Sequence, residues 1–310
     1  MIEAIRTPDE RFKDLPGFPF IPRYLDDLTG YEGLRMHYLD EGPRDAENLF
    51  LCLHGQPTWS YLYRKMIPIF TAAGHRVVAP DFFGFGRSDK PVKDEVYQFD
   101  FHRGSLVAFI ERLDLKNNTL LCQDWGGLLG LTLLMDMPDR FSRLLVMNTT
   151  LGTGDVQLSD GFLAWREWVN NNPDMAIGTL MKRACPHLSS EECRAYDAPF
   201  PDVRYKAGVR RFPNMVPDHP EAPGAALSRE AREWLSNKWT GSTFMAIGMQ
   251  DPVLGPPVMH ALRRVIKDCP EPYEMTNAGH FVQEWGEEAA KKALIAFGLT
   301  RDRETGTYSA

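Results

Sequence analysis

The chain has no long apolar run and no excess of positive charge, and each absence excludes a class of function. No uninterrupted apolar stretch approaches the roughly 20 residues of a membrane-spanning helix. The first residues, MIEAIRTPDERFKDLPGF, carry charge throughout and lack an apolar centre, so they do not read as a secretory signal, and the expected location is the cytoplasm. With 35 Lys and Arg against 42 Asp and Glu, the net charge of -7 offers no basic surface with which to neutralise phosphates. Neither a nucleic-acid nor a membrane partner is expected. A small, neutral substrate fits better, and the chain is expected to be a monomer. The five cysteines, Cys52, Cys122, Cys185, Cys193 and Cys269, are scattered without C-x-x-C spacing and read as reduced thiols in or near a core. None of the eight histidines stands four residues from another, so no metal and no cofactor is expected. There is no internal repeat and no low-complexity segment.

What is present is an alternation of buried strands and amphipathic helices over 310 residues, enough for one large α/β domain with an insertion. Apolar residues alternate over 33–40 as in a half-buried strand near a sheet edge, whereas 48–53, Asn-Leu-Phe-Leu-Cys-Leu, is continuously apolar and reads as a strand buried on both faces. Leu62, Met66, Ile67 and Phe70 have helical spacing over 60–70, and 76–80 is another buried strand. The Gly-rich loop Asp81-Phe82-Phe83-Gly84-Phe85-Gly86-Arg87-Ser88-Asp89 lacks the third glycine of a dinucleotide fingerprint. A helix over 101–113 precedes a strand ending at Cys122, and 143–147, 243–248 and 271–275 are further strands. A final helix over 287–297 turns Ala290, Ala293, Leu294 and Phe297 toward the sheet. Such alternation implies a mostly parallel sheet with right-handed crossovers. From about 151 to 228 the chain turns rich in Trp, Asn, Pro and Arg with no convincing strand, which divides it into a first core part, 1–150, a helical cap, 151–228, and a second core part, 229–310. The tail 301–310 is polar and is expected to fray.

The chain is organised around 119–130, TLLCQDWGGLLG. An apolar strand runs into Gly126-Gly127 and a helix, with Asp124 at the apex. The pattern Cys122-Gln123-Asp124-Trp125-Gly126 has the form of the nucleophile elbow G-x-S-x-G, with aspartate for serine and cysteine for the first glycine. Taken alone, Asp124 reads more readily as a cap on the following helix. Two further ionisable residues stand just past strands, Asp251 and His280, completing a nucleophile–acid–histidine order. His280 alone would read as a surface or capping histidine. Where the strand at 143–147 ends, Asn148-Thr149-Thr150 supplies no acid, which leaves Asp251 to orient the imidazole.

These segments resemble the haloalkane dehalogenases over nearly the whole chain. The carriers are His54-Gly55-Gln56-Pro57-Thr58-Trp59-Ser60, the loop from Asp81 to Asp89, Gln123-Asp124-Trp125-Gly126-Gly127 and Gly279-His280-Phe281. The resemblance implies an α/β-hydrolase fold, with helices on both faces of the sheet and an inserted helical cap. It implies Asp124 as nucleophile, His280 as base, Asp251 as the orienting acid, and the backbone N–H groups of Gln56 and Trp125 as oxyanion hole. It is to the subgroup with two halide-binding tryptophans and the acid after the sixth strand. Gly161-Phe162-Leu163-Ala164-Trp165 matches that subgroup's cap motif, so Trp165 rather than Trp168 is expected to join Trp125 at the halide. Leu128, Phe162, Phe212, Val216, Val253 and Leu254 are the implied pocket walls; on composition alone each is core packing.

An aspartate at the elbow changes the chemistry available. It suits displacement at saturated carbon, leaving an alkyl ester whose carbonyl belongs to the protein and which activated water can hydrolyse. That scheme releases a primary alcohol and needs a leaving group that departs as a stable anion, as halide does. An epoxide opens to an alkoxide and needs a proton donor, for which Tyr196 and Tyr205 are available in the cap; an indole N–H is too weak an acid for that task. Epoxide hydrolysis is thus the alternative enzymatic reading, and a non-catalytic binding protein of the same fold the alternative from another class.

Overall fold

The computed structural model describes residues 2–300, so the expected frayed tail, 301–310, lies outside the described residues. An eight-stranded sheet forms the centre. In chain order the strands are β1 (Ala4–Ile5), β2 (Arg23–Leu25), β3 (Met36–Glu41), β4 (Leu49–Leu53), β5 (Arg76–Pro80), β6 (Lys90–Pro91), β7 (Asn118–Gln123), β8 (Phe141–Met147), β9 (Ser242–Gly248) and β10 (Tyr273–Met275). Across the sheet their order is β10-β9-β8-β7-β4-β5-β3-β2, while β1 and β6 pair separately. The six strands from β10 to β5 run parallel to their neighbours; β3 and β2 add antiparallel pairs at one edge.

Because strand side chains alternate between faces, the sheet has two apolar layers. Leu49, Leu51, Leu53, Leu120, Cys122, Leu144 and Val146 point to one layer, with α2 (Phe99–Arg112) and α3 (Trp125–Asp136). Phe50, Cys52, Leu121, Leu145 and Met147 point to the other, with α1 (Ile67–Ala72) and α10 (Gly286–Ala296). The expected mostly parallel sheet covered by helices on both faces is the observed architecture.

Several elements differ from the sequence expectation. The edge-like segment at 33–40 forms β3, which is almost wholly buried, because β2 pairs along its outer edge and the two apolar layers cover its faces. The continuous helix expected over 60–70 is a 3-10 turn, Ser60–Tyr63, followed by α1: Pro68 has no N–H to continue a helix begun at 60 and is accommodated in the first turn of a new one. Counted in chain order along the main sheet, the strand before Asp251 is the seventh rather than the sixth, since β2 adds one.

Between β8 and β9 the chain is helical: α4 (Asp160–Asn171), α5 (Ile177–Ala184), α6 (Ser190–Asp197), α7 (Ala207–Met215) and α8 (Ala225–Asn237). The expected boundary at 228 falls inside α8, which packs on α3 and on α9 (Pro256–Val265) and so lies against the core. The insertion is anchored below by Arg64, whose guanidinium donates to Glu284 at 2.7 and 2.9 Å and to Glu192 of α6 at 2.6 Å. Among the described residues no helix is long and apolar enough to cross a membrane.

Candidate active site

Asp124 sits between β7 and α3 with φ 51° and ψ -126°, a left-handed backbone that a non-glycine residue adopts at a cost and that turns its side chain out of the sheet. Neighbouring chains hold the turn. Asp124 N–H donates to Asn148 O at 3.0 Å, and its carbonyl accepts from Gly127 N, Leu128 N and Thr149 Oγ1. The small residues of the motif follow from crowding: a Cβ at Gly126 would lie 2.0 Å from Leu53 O, and one at Gly55 would lie 2.2 Å from Asp124 Oδ1. Cys122, in the first small position, is buried within β7 between β4 and β8.

The structure brings the three ionisable residues together. His280 Nδ1 stands 2.8 Å from Asp251 Oδ2, and its Nε2 stands 3.6 Å from Asp124 Oδ2. Burial opposes a charge on His280, but Asp251 and then Asp124 outweigh it and raise the pKa to about 9. Burial would raise Asp251, yet His280, the Asn148 amide and the Val253 N–H hold it at about 2. Asp124 is raised above the usual carboxylate value by burial, against the pull of His280 and of the Trp125 and Gln56 N–H groups. The oxygens of Asp124 are thereby distinguished. Oδ1 accepts the Gln56 N–H at 2.8 Å, and Oδ2 faces the histidine.

Two residues at this site were not singled out from sequence. Asn148 donates to Asp251 Oδ2 at 2.9 Å and to Gly248 O at 3.1 Å, and its Oδ1 accepts Gly248 N–H at 2.8 Å, so it fixes the acid from the end of β8. The absence of an acid at 148–150 was the available signal that this loop serves the acid at 251. Gln123 donates from Nε2 to His280 O at 3.1 Å, and the same amide lies 2.9 Å from His280 Nε2. The carbonyl, a pure acceptor, sets that amide's orientation, so its second N–H faces Nε2.

The loop after β4 is held from both sides. His54 Nε2 accepts Phe82 N–H at 3.0 Å and its Nδ1 lies 2.9 Å from Gly55 O, a neutral tautomer that burial favours. Asp81, fully buried, accepts from Ser60 N and Arg87 N and pairs with His37, which holds its pKa at about 2 although burial pushes it up. The Gly-rich loop from Asp81 to Asp89 thus buttresses the loop that carries Gln56.

The cap residues are placed with different firmness. Phe212 of α7 is fully buried and meets Trp125 edge-on at 4.8 Å, and Leu128 lies buried in the first turns of α3. Gly161 approaches Pro252, which sets Phe162 beside the loop holding Val253 and Leu254. Arg166 spans from Phe162 to Val216, its guanidinium 5.1 Å from the ring centroid and its Nη2 donating to Val216 O at 3.1 Å. Trp165 is half-buried on α4 and stacks on the more exposed Trp168 at 5.5 Å. Tyr196 is buried and its hydroxyl donates to Glu284, which commits it to the Arg64 ion cluster.

The comparisons with known proteins agree with this geometry. The alpha/beta hydrolase fold family matches residues 48–287. The haloalkane dehalogenase of Psychrobacter cryohalolentis is 45% identical over 302 residues, 96% of this chain and 98% of that protein. That of Mycolicibacterium paratuberculosis is 44% identical over 301 residues, 94% and 98% respectively. Among solved structures, the tetrameric haloalkane dehalogenase DpaA from Paraglaciecola agarilytica NO2 shares 56% identity with a TM-score of 0.94, covering 96% of this chain and 99% of that one. This chain therefore belongs to the haloalkane dehalogenases, hydrolases of the carbon–halide bond on an α/β-hydrolase fold.

Proposed function

We propose that this dehalogenase works through an alkyl ester on Asp124 and that its two carboxylate oxygens have separate tasks. The observation that carries the reading is the split of that carboxylate, with Oδ1 on the Gln56 N–H at 2.8 Å and Oδ2 toward His280 at 3.6 Å. Oδ2 is the free nucleophile. It attacks the halogen-bearing carbon from the side opposite the halide, the carbon–oxygen bond forms as the carbon–halogen bond breaks, and halide leaves with the electron pair. Trp125 and Trp165 offer indole N–H groups to that anion. Trp59 and Trp239 donate theirs to Ala195 O and Thr243 Oγ1, whereas Trp125 and Trp165 have no protein acceptor among the described residues.

Esterification removes the charge of Asp124 and with it one of the influences raising His280. The imidazole then loses its proton more readily. His280 Nε2 takes a proton from water, the resulting hydroxide attacks Cγ of the ester, and charge develops on Oδ1, already in the hole formed by the Gln56 and Trp125 N–H groups. Asp251, held by Asn148 and Val253, stabilises the imidazolium that forms. Collapse breaks the bond between Cγ and Oδ2 as His280 gives its proton to the departing alkoxide oxygen, so the alcohol carries Oδ2 away and Asp124 regains its charge with one oxygen from water. Leu128, Phe162, Phe212, Val216, Val253 and Leu254 form the dry wall that strengthens a carboxylate nucleophile, and small chloro- and bromoalkanes fit this role, giving primary alcohols in the cytoplasm. No cofactor enters the scheme.

Of the two tyrosines that epoxide opening could use as donor, Tyr196 is engaged by Glu284. The test is bromide release from 1,2-dibromoethane. The wild type is expected to release bromide and Asp124→Asn to lose about 10⁴-fold or more of that activity; styrene oxide opening without bromide release would replace the reading with epoxide hydrolysis.

A further inference from the structure

The cap helix α7 contains Pro213 in its interior. Proline has no N–H, so the carbonyl four residues earlier, that of Val209, loses its intrahelical partner. Val209 is wholly buried, and water does not supply a replacement cheaply. The donor comes from the core: Gln56 Nε2 donates to Val209 O at 3.0 Å, across 153 positions of sequence. The backbone N–H of the same Gln56 donates to Asp124 Oδ1. A single residue therefore bonds the nucleophile with its main chain and the cap with its side chain. The helix so gripped also carries Phe212, which packs on Trp125 at 4.8 Å and on Phe85 at 4.7 Å.

We propose that the Gln56 side chain is a positioning residue that fastens the oxyanion-hole loop to α7 through the carbonyl left open by Pro213, so that the seating of the cap and the aim of the Gln56 N–H are one event. This rests on the reading of Gln56 N–H as an oxyanion donor. Its consequence is selective. The Gln56 N–H is needed most when charge develops on Oδ1, in ester hydrolysis, and less when Oδ2 attacks the haloalkane.

The experiment is a cycle of Gln56→Met, Pro213→Ala and the double variant, read by hydrogen exchange of the peptide spanning 207–215 and by mass-detected alkyl-enzyme during turnover of 1,2-dibromoethane. Gln56→Met is expected to speed exchange in α7 and to slow ester hydrolysis about tenfold, less than the ~100- to 1000-fold of losing a donor outright, so that ester accumulates while the first bromide release changes little. Adding Pro213→Ala restores an N–H to Val209 O. The double variant should recover the protection of α7 but not the hydrolysis rate, because the link to the loop stays cut. Should Gln56→Met not fold, Gln56→Glu serves: its carboxylate repels Val209 O when ionised and donates when protonated, so α7 protection should return as pH falls. Unchanged exchange in the Gln56 variant, no recovery of α7 on adding Pro213→Ala, or equal slowing of both chemical steps would each overturn the proposal. If the wild type carried no ester at Asp124, the oxyanion reading would fall instead, and the exchange result would still judge the contact between Gln56 and α7.

Discussion

The two sides of the site are built by different means. On the core side, Asp124, Asp251 and His280 stand at the ends of parallel strands, and backbone donors and buried side chains fix them: Asn148 and Val253 N–H on Asp251, Gln123 on His280, Gln56 N–H on Asp124. On the other side, Trp165 and Phe162 are half-buried on α4, Trp165 stacked on Trp168 and Phe162 beneath the Arg166 guanidinium. Between the two lies α7, buried like the core yet part of the cap, with Phe212 against Trp125. Strand ends provide rigid positions at which a few tenths of an ångström matter for bond making. A helix on a polar surface provides an apolar wall that can be recut without disturbing them.

The sharpest way to break that contrast is to disturb the core side. Asp251→Asn keeps the shape but presents an amide to His280 Nδ1 and removes the charge that steadies the imidazolium; kcat for bromide release should fall about 10³- to 10⁴-fold with little change in circular dichroism. A loss under tenfold would mean that the acid is not part of the reacting unit. A smaller effect separates the tryptophans. Trp125→Phe removes an indole N–H fixed next to the nucleophile and should weaken bromide binding, measured by fluorescence quenching, by about 10- to 100-fold, as for a hydrogen bond to a charged group. Trp165→Phe should weaken it less, about tenfold or under, because α4 is more loosely seated; the reverse order would place the firmer half of the halide site in the cap.

The smallest expected effect concerns pH. His280 is raised from 6.5 to about 9 in the folded protein, chiefly by Asp251 against the opposing effect of burial. A group raised on folding stabilises the fold fully below its unfolded pKa and loses that contribution as pH rises through the folded one. The difference in Tm between the wild type and His280→Gln should therefore shrink between pH 6.5 and pH 9. A difference that grew over this interval would contradict the sign of the shift.

Much of the core side is legible in sequence because strand ends impose residue types. Gly126 is needed where α3 passes Leu53 O, Gly55 where the loop passes Asp124, and the triad positions follow apolar runs that periodicity marks. What escaped sequence reading escaped for physical reasons. The strands β1, β2 and β6 have two or three residues, too few for an alternation to show. Asn148 looks like any asparagine in a loop until Asp251 is folded onto it, and Gln123 acquires a task only when His280 arrives from 157 positions away. Composition does not mark the boundary expected at 228, where the chain is one helix from Ala225 to Asn237. The Gln56 side chain could not be assigned from its own loop, since its partner is a carbonyl in α7 and the vacancy there comes from Pro213.

The ester on Asp124 is tested most directly by the mass of the peptide containing that residue in His280→Gln after exposure to 1,2-dibromoethane. The expected result is a mass increase of one bromoethyl group on Asp124, with one bromide released per chain and no sustained turnover. An unmodified peptide under conditions in which that variant still releases bromide would contradict a two-step mechanism through Asp124.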